Sequence, residues 1–291
     1  MTRVLILGSR GLLGSSLSMR LQLLGYEVFR QSRSPGFEIC VNPFDVADFA
    51  ESLSRICPSV VVNLIAFTDV DRCERQPQLA FEANVLPVQS FLKAVQISCI
   101  KPHLIHVSSD QIYDGNGPHT ETNVSPPNVY ALSKLAAELA ISDYPSTILR
   151  TNFFGASRTP SRTSFSDWVV SSLRSKSPIT VFEDVQFSAL HIDTLCDVIA
   201  GAVKQKPFGI FNVGTADGVS KAEFAFSLAQ QLCLSTDYLH IGSVADANLL
   251  ARRPLDMRLD CSLFEDTFRM IAPMMSLQIY HTVCDYNELS S

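Results

Sequence analysis

Residues 4–25, "VLILGSRGLLGSSLSMRLQLLG", carry an aliphatic run into a helix-length segment through a turn that holds Gly8, Gly11 and Gly14. So short a strand-to-helix turn needs φ freedom at its first glycine, exposed backbone at the second and close helix–strand packing at the third. The helix that follows turns unpaired N–H groups and the positive end of its dipole toward the loop, which suits a pyrophosphate. A glycine triplet alone also fits a plain βα turn; its place at residue 8 of a chain with βαβ rhythm is what points to a dinucleotide. The candidate contacts are Gly8, Arg10, Gly11, Leu12, Leu13 and Gly14.

The first half of the chain keeps that rhythm. The runs "YEVFRQ", "SVVVNLIA", "HLIHVSS" and "STILRTNFF" alternate with amphipathic segments over 12–24, 46–56, 77–97 and 129–142. The pattern predicts an α/β fold: a Rossmann-type doubly wound parallel sheet with a smaller C-terminal helix-rich lobe. Its strands are continuously apolar, as strands covered on both faces must be. After residue 155 the rhythm changes to a polar stretch, "GASRTPSRTSFS", and a helix near 165–174; "GIFNVG" reads as one more strand, and helices follow from "SKAEFAFSLAQQL" onward. The expected division is a cofactor-binding domain over 1–155, with 190–214 returning to it, and a mainly substrate-binding lobe over 156–291.

The second strand selects the cofactor. In NAD-specific folds an acidic residue about 20 positions beyond the loop holds the ribose 2′-hydroxyl. Here "GYEVFRQSRS" brings Ser32 and Arg33 to that place, and Arg10 lies in the loop itself. A hydroxyl and guanidinium groups suit a 2′-phosphate better than a carboxylate would, so NADPH is expected, with NADH as the other candidate. The competing reading of Arg30 and Arg33 is solvated loop charge.

"HLIHVSSDQIYDG" is an apolar strand that stops at Ser108, Ser109 and Asp110, and in open α/β sheets ligands bind beyond the carboxyl ends of strands. Downstream, "NVYALSKLAAE" places Tyr130 four residues before Lys134, one turn apart on one helix face. An unaided phenol, with a pKa of ~10, is a poor proton relay at neutral pH. A lysine one turn away favours phenolate, and a serine hydroxyl holds a substrate oxygen in register. Tyr130, Lys134 and Ser109 are therefore the candidate catalytic set for interconverting a ketone and an alcohol. In isolation a Tyr-x-x-x-Lys pair is an amphipathic tyrosine with a surface lysine; the glycine loop, the basic second strand and the serine at a strand end, all in order, favour chemistry.

The GxxGxxG spacing resembles that of extended short-chain dehydrogenases. "NLIAFTDVDRCERQPQLAFEANV", "VSSDQIYDG", "YALSKLAAE", "LRTNFFG", "FNVGTADGVSKAEFAFSLAQ" and "RRPLDMRLD" follow, in order, the dTDP-4-dehydrorhamnose reductase family over nearly the whole chain. The resemblance implies that Ile65, Ala66 and Phe67 line the cofactor, that Asp45 and Val46 lie beside the adenine, and that Lys134 holds the ribose. It also implies that Ser109, Asp110, Gln111 and Phe153 meet the sugar. From the residues alone, capping the next helix is the commoner job for Asp45, and Phe153 reads equally as core. The chain departs from the family at Gln111, Phe153 and Ala189–Leu190, where members carry tyrosine, tryptophan and a Pro-Thr pair. "FSALHIDTLCDVI" instead resembles a segment of sugar-nucleotide epimerases, with His191 and Asp193 as lobe-orienting or capping residues.

The resemblance implies NADPH-dependent reduction of a nucleotide-linked 4-keto sugar, most simply dTDP-4-dehydro-L-rhamnose to dTDP-L-rhamnose. A same-fold epimerase or dehydratase is the first alternative, though "SSDQ" lacks the acidic pair of dehydratases. A non-catalytic NADP-binding subunit resembling that of methionine adenosyltransferase is the second. Two sheet-flanking helices, 77–97 and 129–142, carry apolar faces that fit either a homodimer or the core.

Charge and composition exclude other classes. A net charge of −6 without a basic run argues against a nucleic-acid or anionic-membrane surface. No apolar stretch approaches the ~20 residues needed to span a bilayer, and "MTRVLILGSRGLLG" reaches glycine too early for a signal peptide, so a cytoplasmic location is expected. Eight cysteines without a CxxC pair or Cys/His cluster read as reduced thiols, with no metal site.

Overall fold

The structure is a computed structural model that describes residues 1–32, 39–40, 42–159 and 162–288. The first half alternates strand and helix: β1 (Arg3–Leu7), α1 (Leu12–Leu23), β2 (Glu27–Ser32), β3 (Ile39–Cys40), α2 (Val46–Ile56) and β4 (Val60–Asn63). Then come α3 (Val70–Arg75), α4 (Pro77–Asn84), α5 (Leu86–Ser98), β5 (His103–Val107), α6 (Val129–Ala140) and β6 (Ser146–Thr151). The second half holds β7 (Phe153–Phe154), α7 (Phe165–Arg174), β8 (Ile179–Phe182), β9 (Gln186–Phe187), β10 (Leu190–His191), α8 (Ile192–Gln205) and β11 (Gly209–Val213). It ends with β12 (Val219–Ser220), α9 (Lys221–Gln231), β13 (Leu239–Gly242), β14 (Asp256–Met257), α10 (Ser262–Phe268) and α11 (Met275–Glu288).

Among the described residues seven strands form one sheet in the order β11-β6-β5-β4-β1-β2-β3, all parallel. The order runs outward from β1 in both directions, so the glycine turn after β1 sits at the point where connections reverse, the usual place for a ligand. Alternate residues of one strand enter opposite layers: Val4 and Ile6 join Leu13, Leu17, Leu195 and Ile199 on the α1/α8 face, while Leu5 and Leu7 join Phe49, Leu53, Phe91 and Val95 on the α2/α5 face. Val60, Val61 and Val62 are all fully buried, which is why β4 reads as an unbroken apolar run.

The helix expected over 77–97 is two helices, α4 and α5, joined at Val85. Pro87 has no N–H to donate and its ring excludes the preceding turn, while Asn84 is withdrawn from solvent to hold the loop after β4. The second half has its own core, with Val169, Val181, Phe187, Phe224, Leu228, Met257 and Ile279 packed together. It carries short strands as well as helices: β12-β9-β14 form one small sheet, β13-β8 another, and β10 pairs with β7. Two pieces cross back to the main sheet: β11 pairs with β6, and α10 places Phe264 and Phe268 in the same core as Val213 and Phe211.

Candidate active site

The glycine turn is built as its spacing requires. Gly8 lies at φ +77 and accepts the Gly11 N–H at 3.0 Å. A Cβ on Gly14 would stand 2.5 Å from the Gly8 carbonyl oxygen and 2.7 Å from the Ser9 Cα, so only glycine lets α1 begin this close to β1. Gly11 caps α1 with no side-chain bond, and no acidic residue lies in its first turn, which leaves the amides and the positive dipole end for an anion. The Leu13 side chain is buried in the core, so a cofactor contact there is through backbone, and Leu12 is half-buried beside it.

The tip of β2 carries a carboxamide in place of an acid. Gln31 Oε1 accepts the Gly8 N–H at 3.3 Å, and its carbonyl accepts the Ser9 hydroxyl at 2.8 Å. Beside it is a cavity of about 230 Å³ lined by Ser9, Arg10, Ser15, Ser18, Arg30, Arg158 and Thr159. Three guanidinium groups and four hydroxyls make it an anion site in chemical character, and a phosphate fits that donor set. Ser32 ends β2, and Arg33 lies outside the described residues. Arg158 and Thr159, from the polar stretch after β7, were not singled out in the sequence; the signal was the repeated Ser-Arg-Thr composition of that stretch.

Across the strand ends, Ser109 closes β5 and caps a 3-10 turn, accepting the Gln111 N–H at 3.2 Å and donating to Asp110 Oδ1 at 3.3 Å. Asn128 starts α6, its Oδ1 accepting the Ala131 N–H at 2.9 Å, while its Nδ2 donates at 2.8 Å to the Arg252 carbonyl. Tyr130 and Lys134 are both buried on the inner face of α6. Burial pushes the Tyr130 phenol up to about 12; its hydrogen bond with Ser109 pulls it down, and Asp110 and Cys73 push it further up. The structure therefore brings Ser109 and Tyr130 together.

The Lys134 Nζ donates at 2.8 Å to the Val107 carbonyl at the end of β5, so the ammonium is drawn to the strand end. Burial lowers Lys134 itself to about 8, and the Glu138 carboxylate one turn on opposes this. Glu138 is held by the Ser108 hydroxyl and by Arg150, whose Nη2 lies 2.6 Å from Oε2. Arg150 also donates at 2.8 Å to Tyr113, which donates at 2.6 Å to Asn212 Oδ1 on β11. Neither Glu138 nor Arg150 was picked out from the sequence, although Glu138 extends the Tyr130/Lys134 row and Arg150 is a cation in the apolar run of β6.

Asp110 is almost fully buried, and burial raises its carboxyl to about 6; hydrogen bonds from Asn152 Nδ2 at 2.9 Å and from Ser109, together with the charge of Lys221, oppose that rise. Gln111 Oε1 is buried without a hydrogen-bond partner among the described residues, an acceptor left available to a ligand. Phe153 is half-buried against the main core, one residue from the Asn152 that holds Asp110.

The loop after β4 packs on the glycine turn: the Ile65 N–H donates to Asn63 Oδ1 at 3.1 Å, and Ile65 backbone lies where a Gly8 side chain would be. Ala66 follows, and Phe67 is fixed by Asn84 Oδ1 at 2.7 Å and packs on the cluster that contains Tyr130. Asn84 also donates to Ser133 at 2.8 Å, so one buried amide ties this loop to α6. Asp45 caps α2, accepting from Ala47 and Asp48, and Val46 is its first residue. His191 caps α8 through Nδ1 and pairs through Nε2 with Asp285 at 2.9 Å, while Asp193 meets Arg158 at 3.1 Å. Ala189 and Leu190 are both buried in the core. Among the described residues no group of His, Cys, Asp and Glu could hold a metal ion, and no helix is long and apolar enough to cross a membrane.

A glycine turn at the reversal point of a parallel sheet, facing a serine, tyrosine and lysine at the strand ends, defines a fold of the extended short-chain dehydrogenase class. The family described as RmlD substrate binding domain matches residues 1–287, and the chain belongs to it. It is 27% identical over 285 residues to a dTDP-4-dehydrorhamnose reductase of Escherichia coli strain K12, covering 93% of each chain. It is 28% identical over 288 residues to methionine adenosyltransferase 2 subunit beta of Rattus norvegicus, covering 90% of this chain and 81% of that one. In fold it matches a dTDP-4-dehydrorhamnose reductase from Bacillus anthracis solved in complex with NADP, with a TM-score of 0.88, 21% identity, and coverage of 98% and 99%.

Proposed function

We propose that the protein reduces a nucleotide-linked 4-keto sugar with NADPH, most simply dTDP-4-dehydro-L-rhamnose to dTDP-L-rhamnose. The observation that carries this reading is the meeting of Ser109 and Tyr130, on the helix that also bears Lys134, at the strand ends beside an uncapped helix terminus and a basic cavity. The relatives' names support the same substrate class. Gly8, Gly11 and Gly14 with the α1 amides would hold the pyrophosphate, and Arg10 and Arg30 the 2′-phosphate; Ile65, Ala66 and Phe67 would flank the nicotinamide side. When bound, NADPH would supply the hydride for reduction of the carbonyl carbon. Tyr130 gives its proton to the carbonyl oxygen, and the ketone becomes an alcohol. Ser109 holds the oxygen, Lys134 holds ribose hydroxyls, and Asp110, Gln111 and Phe153 meet the sugar.

In this reading residues 1–155 with 190–214 form the cofactor-binding unit, and most of 156–291 binds substrate. The cytoplasm, which supplies reduced dinucleotide, is the proposed location. Exposed Ile97 on α5 and Leu132 and Leu139 on α6 support a homodimer through those helices.

The test is NADPH consumption with a panel of dTDP- and GDP-linked 4-keto sugars. Turnover that falls about 10²–10⁴-fold in Tyr130→Phe is the expected result. Tight NADP binding with no turnover of any sugar would favour a non-catalytic subunit; the rat relative is named as a subunit of methionine adenosyltransferase 2.

A further inference from the structure

The basic cavity beside the glycine turn is closed by residues from the other half of the molecule. The chain leaves β7 at Phe154 and passes tightly over the start of α8: Gly155 lies at φ +140, and a Cβ there would stand 2.8 Å from Ile192 Cγ2. It is then fastened to α7 by the Ser157 N–H, which donates to Asp167 Oδ1 at 3.2 Å. Residues 157–159 form a local turn, the Ser157 hydroxyl donating to the Thr159 carbonyl at 2.8 Å and the Thr159 N–H donating back to Ser157 Oγ at 3.1 Å. This turn meets the first turn of α1, where Thr159 Oγ1 stands 3.3 Å from Ser15 Oγ, 144 residues away in the chain. Arg158 thereby lines the same cavity as Ser9, Arg10 and Arg30.

A carboxylate keeps Arg158 at that place. Its Nη2 donates at 3.1 Å to Asp193 Oδ2 in the first turn of α8, but the two side chains stay 39% and 47% exposed, so the pair adds little to stability. One such bond leaves most of the N–H donors of the guanidinium for a second acceptor. None of the residues that line the cavity is acidic. Three guanidinium groups and four hydroxyls around about 230 Å³ suit a compact anion with several acceptor oxygens. A phosphate monoester, with a charge of about −2 and three such oxygens, fits that description better than a bridging pyrophosphate, which the α1 amides already suit.

We propose that Arg158, brought in by the second half of the chain, is a cofactor-selecting residue that joins Arg10 and Arg30 on the 2′-phosphate of NADP(H). The inference rests on the NADPH reading and deepens it: both halves of the molecule set the cofactor choice, and the phosphate links α1 to a turn rooted on α7. A dinucleotide with a free 2′-hydroxyl offers this cavity no anion and gains nothing from Arg158.

The experiment is calorimetric titration of wild type, of Arg158→Met, which keeps an unbranched stem without the charge, and of Arg158→Lys, which keeps the charge without the planar fork. The probes are NADP, NAD, adenosine 2′,5′-bisphosphate and ADP, so the 2′-phosphate and the pyrophosphate are read separately and without turnover. The expected result is that Arg158→Met weakens NADP and adenosine 2′,5′-bisphosphate about 10-fold or more while NAD and ADP stay within about twofold. Arg158→Lys recovers part of the loss, and the melting temperature without ligand stays close to that of wild type. If Arg158→Met binds NADP as wild type does, Arg158 is a surface ion pair and the proposal is overturned. Equal weakening of NADP and NAD overturns it too, since the contact is then to the pyrophosphate or to the fold. Wild type alone decides the NADPH reading: if it binds NAD as tightly as NADP, or binds neither, that reading and the proposal fail together. If it prefers NADP and Arg158→Met keeps the preference, only the proposal fails.

Discussion

The charge of Lys134 depends on Glu138. The two lie one turn apart on α6; burial draws the lysine down to about 8 and the carboxylate resists. Glu138→Gln removes that support and leaves the buried Arg150 guanidinium without its ion partner. Breaking a buried pair from one side costs about 3–5 kcal/mol, measurable by denaturant unfolding. The activity that needs a protonated Lys134 should then fall away at lower pH than in wild type, so the alkaline limb of the kcat profile moves down. A profile that stays in place while stability drops would make Glu138 purely structural. Ser109, Tyr130 and Lys134 were legible because their spacing fixes a shared helix face and a strand end. Arg158 was not: it lies among serines and threonines after β7, and an arginine in such a stretch looks like solvated loop charge. Helical spacing gives the side of the helix that Lys134 faces but not the Val107 carbonyl toward which its ammonium turns.

At the level of elements, the β1 turn and α1 form one unit whose geometry leaves no room at residue 14. Gly14→Ala would force a Cβ against the Gly8 carbonyl at 2.5 Å, moving backbone, so a loss of about 1–3 kcal/mol and at least about 10-fold weaker NADP binding are expected. Gly25→Ala is the matched control: it sits at φ +83 with nothing within 4 Å of the added carbon, so it should cost about 1–2 kcal/mol from backbone strain alone and leave NADP affinity unchanged. Calorimetric titration of both variants separates the two cases. The main strands and most helices could be read from periodicity because runs of four to six residues buried on two faces are unmistakable. The two-residue strands β3, β7, β9, β10, β12 and β14 carry no period to read, and the break at Val85 comes from Pro87 acting on an amphipathic pattern that continues across it.

Across the whole molecule, stability depends on pH through the buried Asp110. Burial raises Asp110 in the folded chain from 3.8 to about 6, so folding favours its protonated form. That contribution is fully present below 3.8 and is lost as pH rises through about 6. Asp110→Asn does not titrate, so its stability relative to wild type should climb between about pH 4 and pH 6, by up to about 3 kcal/mol, in unfolding curves taken at each pH. A constant difference across that window would show that Asp110 is not desolvated. The second core and the return of β11 and α10 to the main sheet were only partly foreseen, since pairing between distant segments leaves no local pattern. The central claim, that Tyr130 and its neighbours deliver a proton as the cofactor delivers hydride, is tested most directly by following deuterium from 4-deuterated NADPH into a nucleotide-linked 4-keto sugar. One deuterium on the new carbinol carbon in wild type is the expected result, with a loss of about 10²-fold or more in Tyr130→Phe and NADPH affinity kept within a few-fold. Deuterium transfer undiminished in Tyr130→Phe, or an alcohol product carrying none, would contradict it.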